Sequence, residues 1–149
     1  MSGTPRIYDV GYASGVFDMF HVGHLNLLRR ARTHCRWLVV GVASDEYVEY
    51  LKGRPAVVPC DERFEIVSEL GLVDEVLVDR AVDKRLVWHQ RPFDVIFKGD
   101  DWQGTPRGAR LEHEMAGLGV SVVYFPYTEH TSSTMLRSYL SAPELGSEQ

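Results

Sequence analysis

Trp37-Leu38-Val39-Val40-Gly41-Val42-Ala43 is a run without a charge, rich in β-branched side chains. Such a run suits a strand at the centre of a parallel sheet, where helices cover both faces and polar alternation disappears. Before it, Val10-Gly-Tyr-Ala-Ser14 reads as a short buried strand ending at Gly15. A segment from His21 to about Arg32 follows, with Leu25, Leu27 and Leu28 among arginines, the spacing of a helix with one apolar side. After the central run, Ser44-Asp-Glu caps a short helix, and Lys52-Gly-Arg-Pro55 is a loop by its glycine and proline. Cys60 or Asp61 opens a helix to about Leu70, ended by Gly71, and Asp74–Val78 is a third strand. Asp83 to about Gln90 is helical until Pro92 forbids continuation. Val95–Phe97 is a fourth strand, followed by the loop Gly99–Gly104, a helix over roughly Ala109–Leu118 and a strand at Val122–Phe125. A last helix runs from Ser133 to Leu140, and the small, polar tail 141–149 is expected to be mobile.

Strands alternate with helices and no repeat or linker interrupts them. The expectation is a Rossmann-like three-layer α/β/α domain over residues 1–149, core about 7–140, with a five-stranded parallel sheet. Right-handed crossovers then put ligands at the strands' C-terminal ends.

The chain's 149 residues bury enough surface for a core without disulfides or metals, and 44% hydrophobic with 25% charged residues is ordinary globular usage. No stretch approaches the roughly 20 apolar residues of a membrane span, and Met1–Arg6 lacks the apolar core of a secretory signal. Two cysteines, Cys35 and Cys60, stand outside any C-x-x-C pair and fit reduced thiols in a cytoplasmic protein. A net charge of −5 argues against a broad nucleic-acid face, although a phosphate site needs only a few cations. Neither a membrane nor a nucleic acid is expected as a partner.

Chemistry concentrates in Gly15-Val-Phe-Asp-Met-Phe-His-Val-Gly-His24, between the first strand and the first helix. His21 and His24, three residues apart, share one side of a helix. At its N-terminus they join backbone N–H groups and the positive end of the dipole, which attract phosphate, and Gly23 lets a phosphate approach the backbone. The bland alternative is a histidine pair making structural hydrogen bonds where the helix begins. No third ligand at metal spacing accompanies the pair, so no protein-held metal is expected.

Gly15-Val-Phe-Asp18 with His21-Val-Gly-His24 resembles the HxGH signature of the nucleotidyltransferase superfamily. Gly41-Val-Ala-Ser-Asp-Glu46, Lys52-Gly53, Asp61-Glu-Arg63 and Val73-Asp-Glu-Val76 are similar, in the same order, to choline-phosphate and glycerol-3-phosphate cytidylyltransferases. Gly99-Asp-Asp-Trp102 resembles the bacterial glycerol-3-phosphate enzymes in particular. Thr128-Glu129 with Ser132-Ser-Thr134 looks like a variant of their Arg-Thr-Glu-Gly-Ile-Ser-Thr signature. The resemblance implies transfer of CMP from CTP to a phosphorylated alcohol, glycerol 3-phosphate favoured, with release of pyrophosphate. It makes His21, His24 and Lys52 catalytic, with Gly15, Phe17, Asp18, Gly23, Asp100, Asp101, Thr128, Ser132, Ser133 and Thr134 around the nucleotide. Lys52, Arg63, Trp102 and Tyr127 would meet the second substrate. Magnesium would arrive mainly on the CTP phosphates, and a homodimer is implied.

The chain departs from that pattern in two places. Tyr127, His130 and Thr131 replace the arginine, glycine and isoleucine of the late signature, and Gly71-Leu72 stands where many relatives have Arg-Tyr. A tyrosine donates a hydrogen bond but brings no charge. Arg107, Arg110 and Arg137 are candidates to supply the missing cation. Residue spacing does not select cytosine over adenine, so an ATP-using adenylyltransferase and a nucleotide-binding module without catalysis are the alternatives.

Overall fold

The computed structural model describes residues 7–126 and 133–141. In chain order, β1 is Tyr8–Gly15, α1 Val22–Arg32, β2 Cys35–Ala43, α2 Asp45–Lys52 and α3 Cys60–Ser68. β3 is Glu75–Asp79, α4 Lys84–Gln90 and β4 Val95–Gly99. A 3-10 turn at Asp100–Trp102 leads to α5 (Pro106–Ala116), β5 (Ser121–Phe125) and α6 (Ser133–Ser141). Every strand pairing is parallel, in the order β3-β2-β1-β4-β5. The chain therefore winds outward from β1 to β3 and then crosses to the other side of β1. That reversal, between β1 and β4, is where a doubly wound sheet opens a crevice at its C-terminal edge.

The charge-free run is the second strand from one edge and is covered on both faces. Leu38, Val40 and Val42 pack with Leu28 and Ala31 of α1 and Val67 of α3. Val39 points the other way, into a second core with Tyr12, Val87 of α4, and Leu111 and Met115 of α5. Period-two side-chain direction explains the split. Gly41 is required where it stands: a Cβ there would lie 1.8 Å from the Tyr12 hydroxyl.

Helix ends follow local chemistry. Ser44 caps α2 by accepting from the Tyr47 amide, and Asp83 caps α4 by accepting from Arg85. Lys52 belongs to the last turn of α2 rather than to a loop, because the stop is Gly53, at a left-handed φ of 72°. α5 begins earlier than the periodicity suggests, at Pro106, with Thr105 as its cap. α3 ends at Ser68, short of Leu70 and Gly71. Residues 142–149 of the tail lie outside the described residues.

Candidate active site

Four strand ends meet a cleft of about 630 Å³. Gly15, Ala43, Asp79, Lys98 and Gly99 line it from strand termini, and His21, Gly23, His24, Lys52, Trp102, Arg107 and Arg137 close its walls. The β1–α1 connection is backbone-strained: Phe17 and Met19 sit at φ of 56° and 49° without being glycine. Phe17 is buried, and its ring stands edge-on to His24 with centroids 5.5 Å apart. Gly15 leaves space for that ring, which a Cβ would meet at 3.1 Å.

His21 is the N-cap of α1. Its Nδ1 accepts from the Gly23 amide at 3.1 Å, and His24 Nδ1 accepts from the His21 amide at 3.2 Å. The two rings stack with centroids 3.9 Å apart. An accepting Nδ1 assigns the ring hydrogen of each neutral imidazole to Nε2. The structural and chemical interpretations of the pair thus fall on different nitrogens of the same rings. Burial lowers the His21 pKa, and burial, then His21 and Lys52, hold His24 down to about 3 against the opposing pull of Asp18. Both histidines are neutral hydrogen-bond donors at pH 7 in the ligand-free protein. Gly23 lines the cleft, where it leaves the backbone open to approach, and its own amide donates to His21 Nδ1.

Asp18 is buried and tied on three sides. Oδ2 accepts from the Val57 amide at 2.8 Å and Arg137 Nη2 at 2.7 Å, and Oδ1 accepts from the Val58 amide at 2.9 Å. It joins the β1–α1 connection to the α2–α3 loop and to α6. Lys52 is exposed at the cleft mouth, with its pKa lowered by partial burial, then by Arg137 and Arg54.

Arg63 corrects the sequence expectation. It is fully buried and does not line the cleft. Nε donates to Val58 O, Nη1 to Val16 O and Ala43 O, and Nη2 to Asp45 Oδ1, all within 2.7–2.8 Å. Its fork is taken up by the carbonyls of segments that frame the cleft, so it positions walls instead of meeting substrate. Asp100 is exposed and outside the cleft, whereas Asp101 lines it, because the 3-10 turn rotates successive side chains apart. Trp102 lines the cleft, with Lys98 Nζ 4.1 Å from its ring centroid. Of the candidate compensating arginines, Arg107 and Arg137 line the cleft, while Arg110 pairs with Glu114 away from it. Tyr127, Thr128 and Ser132, with His130 and Thr131, lie outside the described residues, and of Ser133 and Thr134 only the backbone is described.

The sequence does not single out Ser14, Asp79, Lys84 or Lys98. Lys84 Nζ, buried, bonds Asp79 Oδ2 at 2.5 Å, Ala81 O at 2.8 Å and the Tyr47 hydroxyl at 3.0 Å. The signal for Lys98 was its place one residue before Gly99, at the end of an apolar strand. Among the described residues no group of three or more His, Cys, Asp or Glu side chains is placed to hold a metal. Cys35 and Cys60 are both free thiols. No described helix is long and apolar enough to cross a membrane.

Residues 12–139 match the family model described as "Cytidylyltransferase-like". The chain belongs to that family. Its similarity to the FAD synthase of Pyrococcus abyssi is 36% identity over 129 residues, covering 85% of each chain. It is 42% identical over 102 residues to an ethanolamine-phosphate cytidylyltransferase of Arabidopsis thaliana, covering 65% of this chain and 24% of that one. A glycerol-3-phosphate cytidylyltransferase of Bacillus spizizenii is 28% identical over 129 residues, 86% and 94% of the two chains. In fold, a crystal structure of a lipopolysaccharide core biosynthesis protein of Thermoplasma volcanium aligns with a TM-score of 0.69 at 25% identity, covering 83% of this chain and 99% of that one. The family places the chain in the nucleotidyltransferase superfamily, and thus among transferases.

Proposed function

We propose that the protein transfers a nucleotidyl group from a nucleoside triphosphate to a phosphate monoester, releasing pyrophosphate, with CTP and a small phosphorylated alcohol as the pair. The carrying observation is the stacked histidine pair, fixed by its own helix cap and facing a cleft lined by Lys52, Lys98, Arg107 and Arg137. The acceptor's phosphate has a second pKa of about 6, so at neutral pH it is already a dianionic nucleophile and no general base is needed. The chemical difficulty is bringing two anions together, and positioned donors and cations answer it. His21 and His24 donate to the triphosphate at its α-phosphate, while Lys52 holds the phosphates from the cleft mouth.

Magnesium fits as an ion brought by the triphosphate. Asp18 and Asp79 are engaged by Arg137 and Lys84, leaving Asp101 as the cleft carboxylate without an ion pair among the described residues. The ion would supply charge neutralisation at the phosphates.

The same charge inventory favours glycerol 3-phosphate over an ammonium-bearing ester such as ethanolamine phosphate. An ammonium group needs a free carboxylate or an open aromatic face. Lys98 already covers Trp102, and Asp101 lies in the field of Lys52 and Lys98. The FAD synthase relatives support a second reading, because FAD joins FMN to AMP and would call for ATP as donor. The cleft's aromatic lining, Phe17, Tyr47 and Trp102, is buried or covered by Lys98, which speaks against a seat for a tricyclic ring. The deciding experiment measures pyrophosphate release with CTP and ATP against glycerol 3-phosphate, ethanolamine phosphate and FMN. Release with CTP and glycerol 3-phosphate is expected. Release only with ATP and FMN replaces this reading with the second, and nucleotide binding without any release refutes both. The homodimer belongs to the same proposal, and sedimentation at equilibrium reads it directly.

A further inference from the structure

Ser14 and Lys98 stand at the point where the sheet order reverses. Ala13 of β1 is paired with Phe97 of β4, and Ser14 and Lys98 are the next residues of those adjacent strands. Two positions earlier, Tyr12 and Ile96 both enter the core beneath α4 and α5. Period-two alternation puts Ser14 and Lys98 on that same face, opposite the face covered by α1. Both line the cleft.

Among the described residues, neither has a hydrogen-bond or ion-pair partner for its polar atom. Ser14 is 6% exposed and its Oγ makes no hydrogen bond to any of them. Lys98 is half-buried, and no hydrogen bond or ion pair among the described residues engages its Nζ; its contact is the Trp102 ring. A buried hydroxyl and a partly desolvated ammonium without acceptors are costly unless a ligand supplies them. Lys84, the neighbouring cation, is different: Asp79, Tyr47 and Ala81 saturate it.

We propose that Lys98 Nζ and Ser14 Oγ form the anion subsite that seats the acceptor's phosphate, across the sheet edge from the histidines. The proposal rests on the transferase reading for the identity of the anion, while the site itself rests on the unpartnered pair. Two anion sites on opposite sides of the edge suit an in-line displacement. An acceptor phosphate oxygen bonds to the α-phosphorus as the bond from that phosphorus to the bridging oxygen breaks. Pyrophosphate leaves with the electron pair, and no proton has to move. Burial first, then Lys84 and Arg107, lower the Lys98 pKa to about 8, which keeps the ammonium charged at pH 7 and makes it titrate just above.

The test is calorimetric titration of glycerol 3-phosphate, and separately of inorganic phosphate, into protein saturated with α,β-methylene-CTP. Lys98→Met is expected to weaken both probes at least tenfold while analogue binding stays within twofold, since a charged hydrogen bond is lost from one site alone. Lys98→Arg should retain most of the affinity, and Ser14→Ala should lose two- to tenfold. Equal affinity in Lys98→Met, an equal loss in the analogue, no rescue by arginine, or no binding of either probe by the wild type overturns the subsite. A wild type that binds glycerol 3-phosphate through Lys98 yet releases no pyrophosphate with any nucleotide refutes the transferase reading and leaves the subsite standing.

Discussion

At the scale of single residues, each imidazole of the histidine pair divides its labour between two nitrogens. Nδ1 of His21 and Nδ1 of His24 accept backbone hydrogens that would otherwise be orphaned at the start of α1. That half of the role has a stability consequence. His24 titrates near 3 in the folded protein against about 6.5 in the unfolded chain. Between those values the unfolded chain binds the additional proton, so this group lowers stability as pH falls from 6.5 toward 3. Thermal unfolding at pH 7 and pH 5 should show a smaller acid loss in His24→Asn than in the wild type; equal losses would refute the neutral assignment. The other half is chemical. His24→Ala should cost about 10²–10³ in kcat, the range for one preorganised donor, with the fold intact by circular dichroism. The acid limb of kcat/KM should follow the acceptor's own ionisation, near 6, and shift when an acceptor of different pKa is used.

At the scale of elements, the sequence marks what each segment is better than where its long polar side chains go. Every strand and helix of the described residues was legible, because burial on both faces leaves charge-free runs and because Ser44, Asp83, Gly53 and Pro92 are local signals. Arg63 was not. On a helix of low amphipathicity an arginine among Glu62 and Glu65 looks like a surface charge or a ligand, and only tertiary folding brings Val16, Ala43 and Val58 around it. Lys98 hid for the opposite reason, as a charge at the end of an apolar strand whose neighbours on β1 are fixed by pairing at long range. Arg63→Met should therefore destabilise by about 3–5 kcal/mol, since it orphans three buried carbonyls and removes the partner of the half-exposed Asp45 carboxylate. For a chain this size that is a fall in Tm on the order of 10 °C. Arg63→Lys should recover little, because one ammonium cannot span the same carbonyls. Gly41→Ala tests β2: the new Cβ would lie 1.8 Å from the hydroxyl of Tyr12, whose buried ring is stacked on Phe93 with centroids 4.8 Å apart. A loss of roughly 1–3 kcal/mol or more is expected from such overpacking, read from chemical unfolding.

For the whole molecule, charge is separated by position. The chain carries a net −5, yet the cleft is lined by Lys52, Lys84, Lys98, Arg107 and Arg137 against Asp18, Asp79 and Asp101. Four of those eight charges cancel locally, since Lys84 pairs with Asp79 and Arg137 with Asp18, leaving Lys52, Lys98 and Arg107 facing Asp101. A concave, partly apolar wall focuses such a field outward. The anionic remainder of the surface repels polyanions elsewhere and leaves the cleft mouth as the favoured approach. Sequence charge alone could not show this, because it sums over a surface whose signs are sorted only by folding. The consequence is kinetic. Raising ionic strength from about 0.01 M to about 0.3 M shrinks the screening length from about 30 Å to well under 10 Å. kcat/KM for the nucleotide should fall several-fold over that range, whereas kcat, set inside the occupied cleft, should change little. Lys98→Met and Arg107→Met should flatten the salt dependence. A salt-independent kcat/KM in the wild type would mean that these cations act only after contact and do not steer the approach.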